Sequence, residues 1–155
     1  MPHIHKDIDF TVDAFIVHTN RVLLHVHRKY GKWMSPGGHI ELTEDPNEAA
    51  LREVKEECGL DITLLAPKDE PADLGEEGYK GLIAPFYFNI HEAAPGHRHA
   101  AFVYFAISEN DQVIPEYEDE EWRWFTKEEL EETTDLLPSV RWYSLEALKE
   151  VEAKR

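Results

Sequence analysis

The alternation of apolar and polar residues predicts two pairs of β-strands, one near each end of a central helical segment. The first pair consists of a strand from about Ile8 to His18, a turn at Thr19-Asn20 and an alternating segment from Arg21 to His27. The second pair consists of two longer strand candidates, Leu82 to His91 and His99 to Ser108, with a Pro-Gly turn between them. The chain therefore contains at least two predicted hairpins.

The segment between these hairpins has the start and stop signals of a helix. Asp45 can accept hydrogen bonds as an N-cap, and Pro46 suits the first helical position, where a missing N–H costs nothing. Gly59 can adopt the left-handed conformation that commonly ends a helix. We therefore predict a helix from Pro46 to Cys58.

This predicted helix has one apolar edge and one acidic face. The apolar edge, which we expect to pack against a sheet, is formed by Ala50, Leu51, Val54 and Cys58. Glu53, Glu56 and Glu57 stand at i, i+3 and i+4, so their carboxylates converge on a face that is predicted to look away from the core. A bound cation would relieve their repulsion near the negative end of the helix dipole. Carboxylate oxygens favour Mg²⁺ or Mn²⁺ as that cation.

The remaining pattern completes one α/β domain. Asp61 to Leu65 is a further strand candidate, and Trp122 to Phe125 is a short one after an acidic loop. Thr126 has the spacing of a capping box for a brief helix, and Pro138 opens a last helix that runs to about Ala153. With 155 residues, a single domain over positions 1–155 is expected.

Charge and cysteine content narrow the class of protein. The chain has 16 Lys and Arg against 32 Asp and Glu, a net charge of −16, which disfavours binding to a nucleic-acid polymer. Its one cysteine, Cys58, excludes an intrachain disulfide and indicates a reducing compartment. The N-terminus has no apolar signal core and no stretch is apolar enough to span a membrane, so a cytoplasmic location is expected.

Nine positions between Gly38 and Leu60 follow a fixed spacing. They are Gly38, Glu44, Arg52, Glu53, Val54, Glu56, Glu57, Gly59 and Leu60. The pattern resembles the signature box of the Nudix (MutT-like) hydrolases, with every fixed position filled. That resemblance implies an α/β/α sandwich with a mixed β-sheet. It also implies a pyrophosphatase that cleaves a nucleoside diphosphate derivative by attack of a metal-positioned water on phosphorus.

The same resemblance assigns roles to residues of the box. Glu53, Glu56 and Glu57 resemble the glutamates that bind Mg²⁺ or Mn²⁺ and supply the catalytic base. A backbone carbonyl of Gly37 or Gly38 resembles a further metal ligand. Arg52 is expected to support the geometry of the catalytic site rather than to bind the metal. Glu44 is placed to hold it in a charge-assisted hydrogen bond. The expected partner is a small phosphorylated substrate, and the sequence leaves a homodimer open.

Outside the box, the resemblance suggests two further groups. A glutamate of the acidic loop, Glu118 or Glu121, fits the position of an extra metal ligand or base, and the alternative is a solvated charge run. Arg98 and His99 lie where such enzymes contact substrate, although an exposed, salt-bridging arginine is the simpler interpretation of Arg98.

Histidines recur in three His-x-His pairs, which place two imidazoles on one face of an extended segment. The pairs are His3/His5, His25/His27 and His97/His99. A zinc site is one interpretation. We favour histidines on the sheet surface, because no Cys-x-x-Cys or His-Glu-x-x-His pattern accompanies them.

Two other functions are compatible with a Nudix-like chain. A non-catalytic sensor of nucleotide metabolites is the main alternative, although such proteins usually have a degraded box. An isomerase acting on isopentenyl diphosphate would need a cysteine ahead of the box, where this chain has none. The substrate itself is open, and Leu136-Leu137-Pro138 stands where oxidised-guanine readers of the family use an asparagine.

Overall fold

The computed structural model describes residues 4–69 and 73–154, so His3 lies outside the described residues. The strands are β1 (Ile8–His18), β2 (Arg21–Val26), β3 (Trp33–Met34), β4 (Gly37–His39), β5 (Ile62–Leu64), β6 (Tyr87–Ala94), β7 (His97–Ser108) and β8 (Trp122–Thr126). The helices are α1 (Pro46–Cys58), α2 (Lys127–Glu132) and α3 (Pro138–Ala153). No helix in these two stretches is long and apolar enough to cross a membrane.

The strands form one mixed sheet built on β1 and β7. These two strands run parallel, with partners from Ile8↔Arg98 to Val17↔Ile107, and all other pairings are antiparallel. The order is β3-β2-β1-β7-β5, while β4 pairs with β1, β6 with β7 and β8 with β2. The predicted α/β class with a mixed sheet is confirmed.

Alternation along β1 divides the core into two parts. Val12 and Ile16 pack with α1 on one face of the sheet, and Phe15 and Val17 pack with residues of α3 on the other. The sheet is therefore a central layer between helices, which is the predicted α/β/α sandwich.

Local signals located most elements correctly. The first strand, the Thr19-Asn20 turn, α1 and α3 have the predicted positions, and both turn residues have positive φ angles, 46° and 61°. Asp45 caps α1 in a capping box with Glu48. These features depend on residues close together in the chain, and for that reason they were predictable.

Two details of the predicted elements were wrong. The strand candidate at Leu82 begins only at Tyr87, because the Asn47 side chain hydrogen-bonds both the N–H and the carbonyl of Ile83, at 2.9 Å each, and keeps this segment out of the ladder. Leu51 is 43% exposed, whereas Ala49 is fully buried on the apolar edge of α1. The helix is thus turned slightly from the predicted orientation.

Candidate active site

Two glycines bring β4 close to both β1 and α1. An added Cβ at Gly37 would lie 2.1 Å from the carbonyl oxygen of Val12, and one at Gly38 would lie 2.4 Å from the carboxyl carbon of Glu53. A side chain at Gly37 would collide with the backbone of β1, and one at Gly38 would displace the Glu53 carboxylate. The close approach allows the Gly37 N–H to donate to a carboxylate oxygen of Glu57 at 2.9 Å.

The pairing of β4 with β1 determines which glycine carbonyl is available to a ligand. Hydrogen bonds from Ala14 N to Pro36 O and from Ile40 N to Phe10 O set the phase of the antiparallel ladder. In that phase Gly38 directs its N–H and carbonyl toward β1, while those of Gly37 point away from it. Of the two carbonyls suggested by the sequence, that of Gly37 is on the side of Glu57.

Arg52 holds the acidic face of α1 together. Its guanidinium donates to both carboxylate oxygens of Glu44, at 2.9 and 2.6 Å, so the predicted pair is present and bidentate. It also donates to Glu53 at 3.0 Å, to Glu56 at 3.1 Å and to the carbonyl of His39 at 3.0 Å. Arg52 therefore connects the loop before α1, β4 and the glutamates of the helix.

The three helix glutamates differ in their environments. Glu53 is 2% exposed, and burial raises its pKa to about 7. Burial, with smaller contributions from neighbouring carboxylates that include Glu53, raises the pKa of Glu57 to about 9. The Glu56 side chain is 53% exposed. The acidic face was predicted to look away from the core, but Glu53 is buried and Glu57 is partly buried, because Gly37 and Gly38 of β4 approach them closely.

This arrangement fits a divalent cation bound by oxygen ligands. Burial and mutual repulsion disfavour two negative carboxylates at Glu53 and Glu57, and a cation between them would reverse that penalty. Glu56 and the Gly37 carbonyl add hard oxygen donors next to open solvent. Such a donor set matches Mg²⁺ or Mn²⁺ and leaves room for water and phosphate oxygens.

The acidic loop before β8 covers the C-terminal end of α1. The N–H groups of Ile114 and Glu116 donate to the carbonyls of Cys58 and Glu57, both at 2.9 Å. The Glu120 side chain is only 7% exposed, and its negative charge contributes to the raised pKa of Glu57. Among the residues of this loop, Glu120 therefore has the largest effect on the pKa of Glu57.

Glu118 and Glu121 differ from Glu120 in the exposure of their side chains. Both are exposed. Period-two alternation could have indicated Glu120 as a candidate, because it is in phase with Trp122 and Trp124, which pack on the α1 side of the sheet. The role suggested for Glu118 or Glu121 stays a prediction, and the low exposure of the Glu120 side chain makes Glu120 a further candidate in the same loop.

Two of the histidine pairs contain a buried residue. His25 is 3% exposed, stacks on Trp122 with ring centroids 4.3 Å apart, and lies 3.6 Å from Glu120. Burial lowers the pKa of His25 to about 4 and that of His27 to about 4. His97 is 5% exposed. The prediction of surface histidines was wrong for His25 and His97, because neighbouring loops cover these strand ends.

The two predicted substrate ligands lie on opposite faces of the sheet. Arg98 and His99 are adjacent in β7, and successive strand residues point to opposite sides. Arg98 is exposed, whereas His99 is half-buried, with its ring centroid 5.0 Å from that of His39. They cannot form a single phosphate-binding subsite.

The raised pKa values of the glutamates predict how metal-free protein responds to pH. Because the folded protein binds protons at Glu53 and Glu57 that the unfolded chain has lost, stability falls as the pH rises from about 4.5 toward 9. Metal-free Glu57→Gln should match wild type near pH 5 and exceed its free energy of unfolding by roughly 1–3 kcal/mol near pH 9. Urea denaturation across this range measures the difference, and a mutant less stable than wild type at pH 9 would contradict the assignment.

Comparison with known proteins agrees with the fold. The NUDIX domain family model matches residues 9–147. A NUDIX-family hydrolase structure from Clostridium perfringens is 36% identical, covers 92% of this chain and 97% of that chain, and has a TM-score of 0.81.

Two curated relatives match shorter segments. An 8-oxo-dGDP phosphatase from Danio rerio is 36% identical over 72 residues, which is 42% of this chain and 22% of the relative. An 8-oxo-dGTP diphosphatase from Proteus vulgaris is 52% identical over 42 residues, which is 27% of this chain and 38% of the relative. The matches thus span well under half of either curated protein. The family model, however, covers most of this chain, and the chain belongs to the Nudix family.

Proposed function

We propose that this protein is a Mg²⁺- or Mn²⁺-dependent pyrophosphohydrolase that cleaves the diphosphate linkage of a nucleoside diphosphate derivative by attack of water on phosphorus. The observation that carries the proposal is that the buried Glu53 and the partly buried Glu57 lie against Gly38 and Gly37, with Arg52 hydrogen-bonded to Glu53. Carboxylates whose pKa values are raised by burial, that of Glu53 even with Arg52 beside it, are typical of a functional site rather than a solvated helix face.

Each residue of the site has a distinct role in this proposal. Glu53, Glu56, Glu57 and the Gly37 carbonyl are the metal ligands. When bound, the metal supplies Lewis-acid stabilisation of the phosphate oxygens and lowers the pKa of coordinated water. Arg52 keeps the glutamates oriented through its contacts with Glu44 and β4. We assign the acceptance of the proton from the attacking water to the Glu120 carboxylate, which lies 3.6 Å from the neutral His25 ring and contributes to the raised pKa of Glu57.

The substrate pocket is proposed to extend over the sheet next to Gly37. Asp13 pairs with Gly37, and burial raises its pKa to about 7, so a protonated carboxyl can donate a hydrogen bond there. This group suits recognition of an acceptor on a nucleobase or ribose. The curated relatives are named for 8-oxo-dGDP and 8-oxo-dGTP, which makes oxidised guanine nucleotides the first compounds to test.

A substrate panel tests the proposed activity. The panel contains nucleoside triphosphates, 8-oxo-dGTP, 8-oxo-dGDP, ADP-ribose, dinucleoside polyphosphates and nucleotide sugars, each with Mg²⁺, Mn²⁺ or a chelator. We expect release of a nucleoside monophosphate or phosphate that requires the metal. Tight nucleotide binding without turnover of any compound would instead indicate the sensor function, and an activity unchanged by the chelator would contradict the metal-dependent mechanism.

The burial of Glu120 predicts which glutamate of the acidic loop matters for turnover. Glu120→Gln should lower kcat by about 10²-fold or more, the usual contribution of a general base. Glu118→Gln, a matched change at an exposed position of the same loop, should have a much smaller effect. Steady-state kinetics on the best substrate of the panel compares the two. If Glu118→Gln lowered kcat more than Glu120→Gln, the general base would be Glu118, as the sequence suggested, and not Glu120.

A further inference from the structure

Four residues from three strands meet on the sheet face opposite α1, away from the glutamate site. They are Asp9 of β1, His39 of β4, and His97 and His99 of β7. The register explains their meeting, because Asp9 is the direct partner of His99, and His39 pairs with the residue two positions after Asp9. Asp9, His39 and His99 each offer a ligand atom, and these atoms all lie within 4.8 Å of one another.

The carboxylate at the centre of this cluster is fixed in position. Asp9 is 1% exposed and accepts hydrogen bonds from the backbone N–H of Ile4 at 3.3 Å and of His5 at 2.6 Å. Its Oδ2 lies 3.1 Å from Nε2 of His97 and 3.2 Å from Nε2 of His39. Several donors thus hold one buried carboxylate oriented toward imidazole rings.

The imidazole rings surround the same point from different directions. The rings of His39 and His99 are nearly perpendicular, at 81° with centroids 5.0 Å apart, and those of His97 and His99 meet at 90° and 5.3 Å. His97 is buried and its Nδ1 is 2.7 Å from the carbonyl of Lys6. His99 is half-buried, and the exposed His91 lies beside it at 5.7 Å, so this side of the cluster opens to solvent.

We propose that Asp9, His39 and His99 form a binding site for a divalent transition-metal ion, with zinc as the best match, separate from the oxygen-ligand site on α1. Two imidazoles and one carboxylate are a donor set that suits zinc and other transition metals rather than Mg²⁺. Two ligands of a tetrahedral zinc ion are separated by about 3.4 Å, given metal–ligand distances near 2.1 Å. The 3.2 Å between Asp9 and His39 is already close to this separation.

The surrounding residues complete the features of such a site. His97 contacts the Asp9 carboxylate and the Lys6 carbonyl, which is the arrangement of an outer residue that orients a metal ligand. His97 is therefore a positioning residue rather than a ligand. His99 is half-buried and the adjacent His91 is exposed, so an ion would reach the site from this side.

The location of the site connects it to β4, the strand that carries Gly37 and Gly38. His39 directly follows Gly38, and its backbone carbonyl accepts a hydrogen bond from Arg52 on the other side of the sheet. An ion held by His39, Asp9 and His99 would join β4 to β1 and β7. Metal occupancy should therefore stabilise β4, the strand that contains Gly37 and Gly38.

Cobalt is a suitable probe, because Co²⁺ replaces zinc and its visible absorption reports coordination. We expect chelator-treated wild-type protein to bind one Co²⁺ per chain with the intense absorption of a four-coordinate, imidazole-containing site, and zinc to displace it. Octahedral oxygen coordination at the α1 glutamates absorbs weakly, and the absorption should persist in Glu57→Gln. Elemental analysis of zinc-loaded, dialysed protein gives the stoichiometry independently.

Variants test the assignment of ligands. His99→Asn and Asp9→Asn should lower the affinity for Co²⁺ by about 100-fold or more, and His97→Gln should weaken it by about 10- to 100-fold while the spectrum keeps its shape. His18→Gln, at the far end of β1, should bind as wild type does. Zinc should raise the melting temperature of wild type and not that of His99→Asn.

Either of two results would overturn the proposal. One is wild-type protein that is folded but retains no zinc and develops no intense cobalt absorption, which would make the cluster a hydrogen-bonded network only. The other is an unchanged cobalt spectrum in folded His99→Asn or Asp9→Asn. The wild-type stoichiometry decides the question even if a variant does not fold, and the result is independent of whether any nucleotide is hydrolysed.

Discussion

Replacing Glu57 with glutamine is expected to lower kcat by about 10³-fold or more while the folded structure is preserved. The amide oxygen of glutamine can still accept the hydrogen bond from the Gly37 N–H, so the contact between β4 and α1 survives. What is lost is the negative charge that the proposed cation requires. KM should change far less than kcat if substrate contacts lie mainly outside this carboxylate.

Glu131→Gln is the matched control for this experiment. Glu131 is an exposed glutamate near the end of α2, and its carboxylate lies 3.8 Å from the Lys127 ammonium group on the helix surface. It should retain wild-type kcat, and isothermal titration should show weakened Mg²⁺ binding in Glu57→Gln alone. A Glu57→Gln protein with kcat within threefold of wild type would remove Glu57 from the mechanism.

The second large effect is on stability, where Arg52→Met is expected to reduce the free energy of unfolding by about 2–4 kcal/mol. Arg52 contacts four groups, and two of them, the side chains of Glu44 and Glu53, are 11% and 3% exposed. Methionine retains most of the apolar stem but leaves these carboxylates without their cation. Breaking a largely buried ion pair on one side is costly because the remaining charge stays buried.

Arg123→Met provides the comparison, since Arg123 pairs with Glu129 at a surface where both side chains are well exposed. Its loss should cost less than about 1 kcal/mol. Urea denaturation of both variants in the absence of metal measures the contrast. A double-mutant cycle of Arg52→Met with Glu44→Gln should give a coupling energy above about 1 kcal/mol, and additive effects would show that the bidentate pair contributes little.

Arg52 also allows stability and catalysis to be separated. Arg52→Lys keeps a positive charge but cannot make the bidentate contact with Glu44 and reach the His39 carbonyl at the same time. It should recover part of the lost stability and less of the lost activity. This outcome follows if Arg52 acts by orienting Glu53 and β4 rather than by its charge alone.

The sequence by itself determined the features that depend on residues close together in the chain. Asp45, Pro46 and Gly59 located α1 correctly, and the spacing of Glu53, Glu56 and Glu57 placed three carboxylates on one side of it. The bidentate contact of Glu44 with Arg52 was likewise predictable, because a loop and the following helix can bring them together over eight residues. The signature spacing identified the family without any tertiary information.

Only the tertiary structure decided how exposed these groups are and which distant residues join them. The burial of Glu53 depends on the close approach of Gly38, and the low exposure of Glu120, on which its proposed role rests, depends on the packing of the loop before β8. Asp9, His39 and His99 meet through strand pairings between positions 9 and 99, a separation that no local pattern specifies. Burial and charge are properties of all packed neighbours, and those neighbours become known only when the sheet register is known.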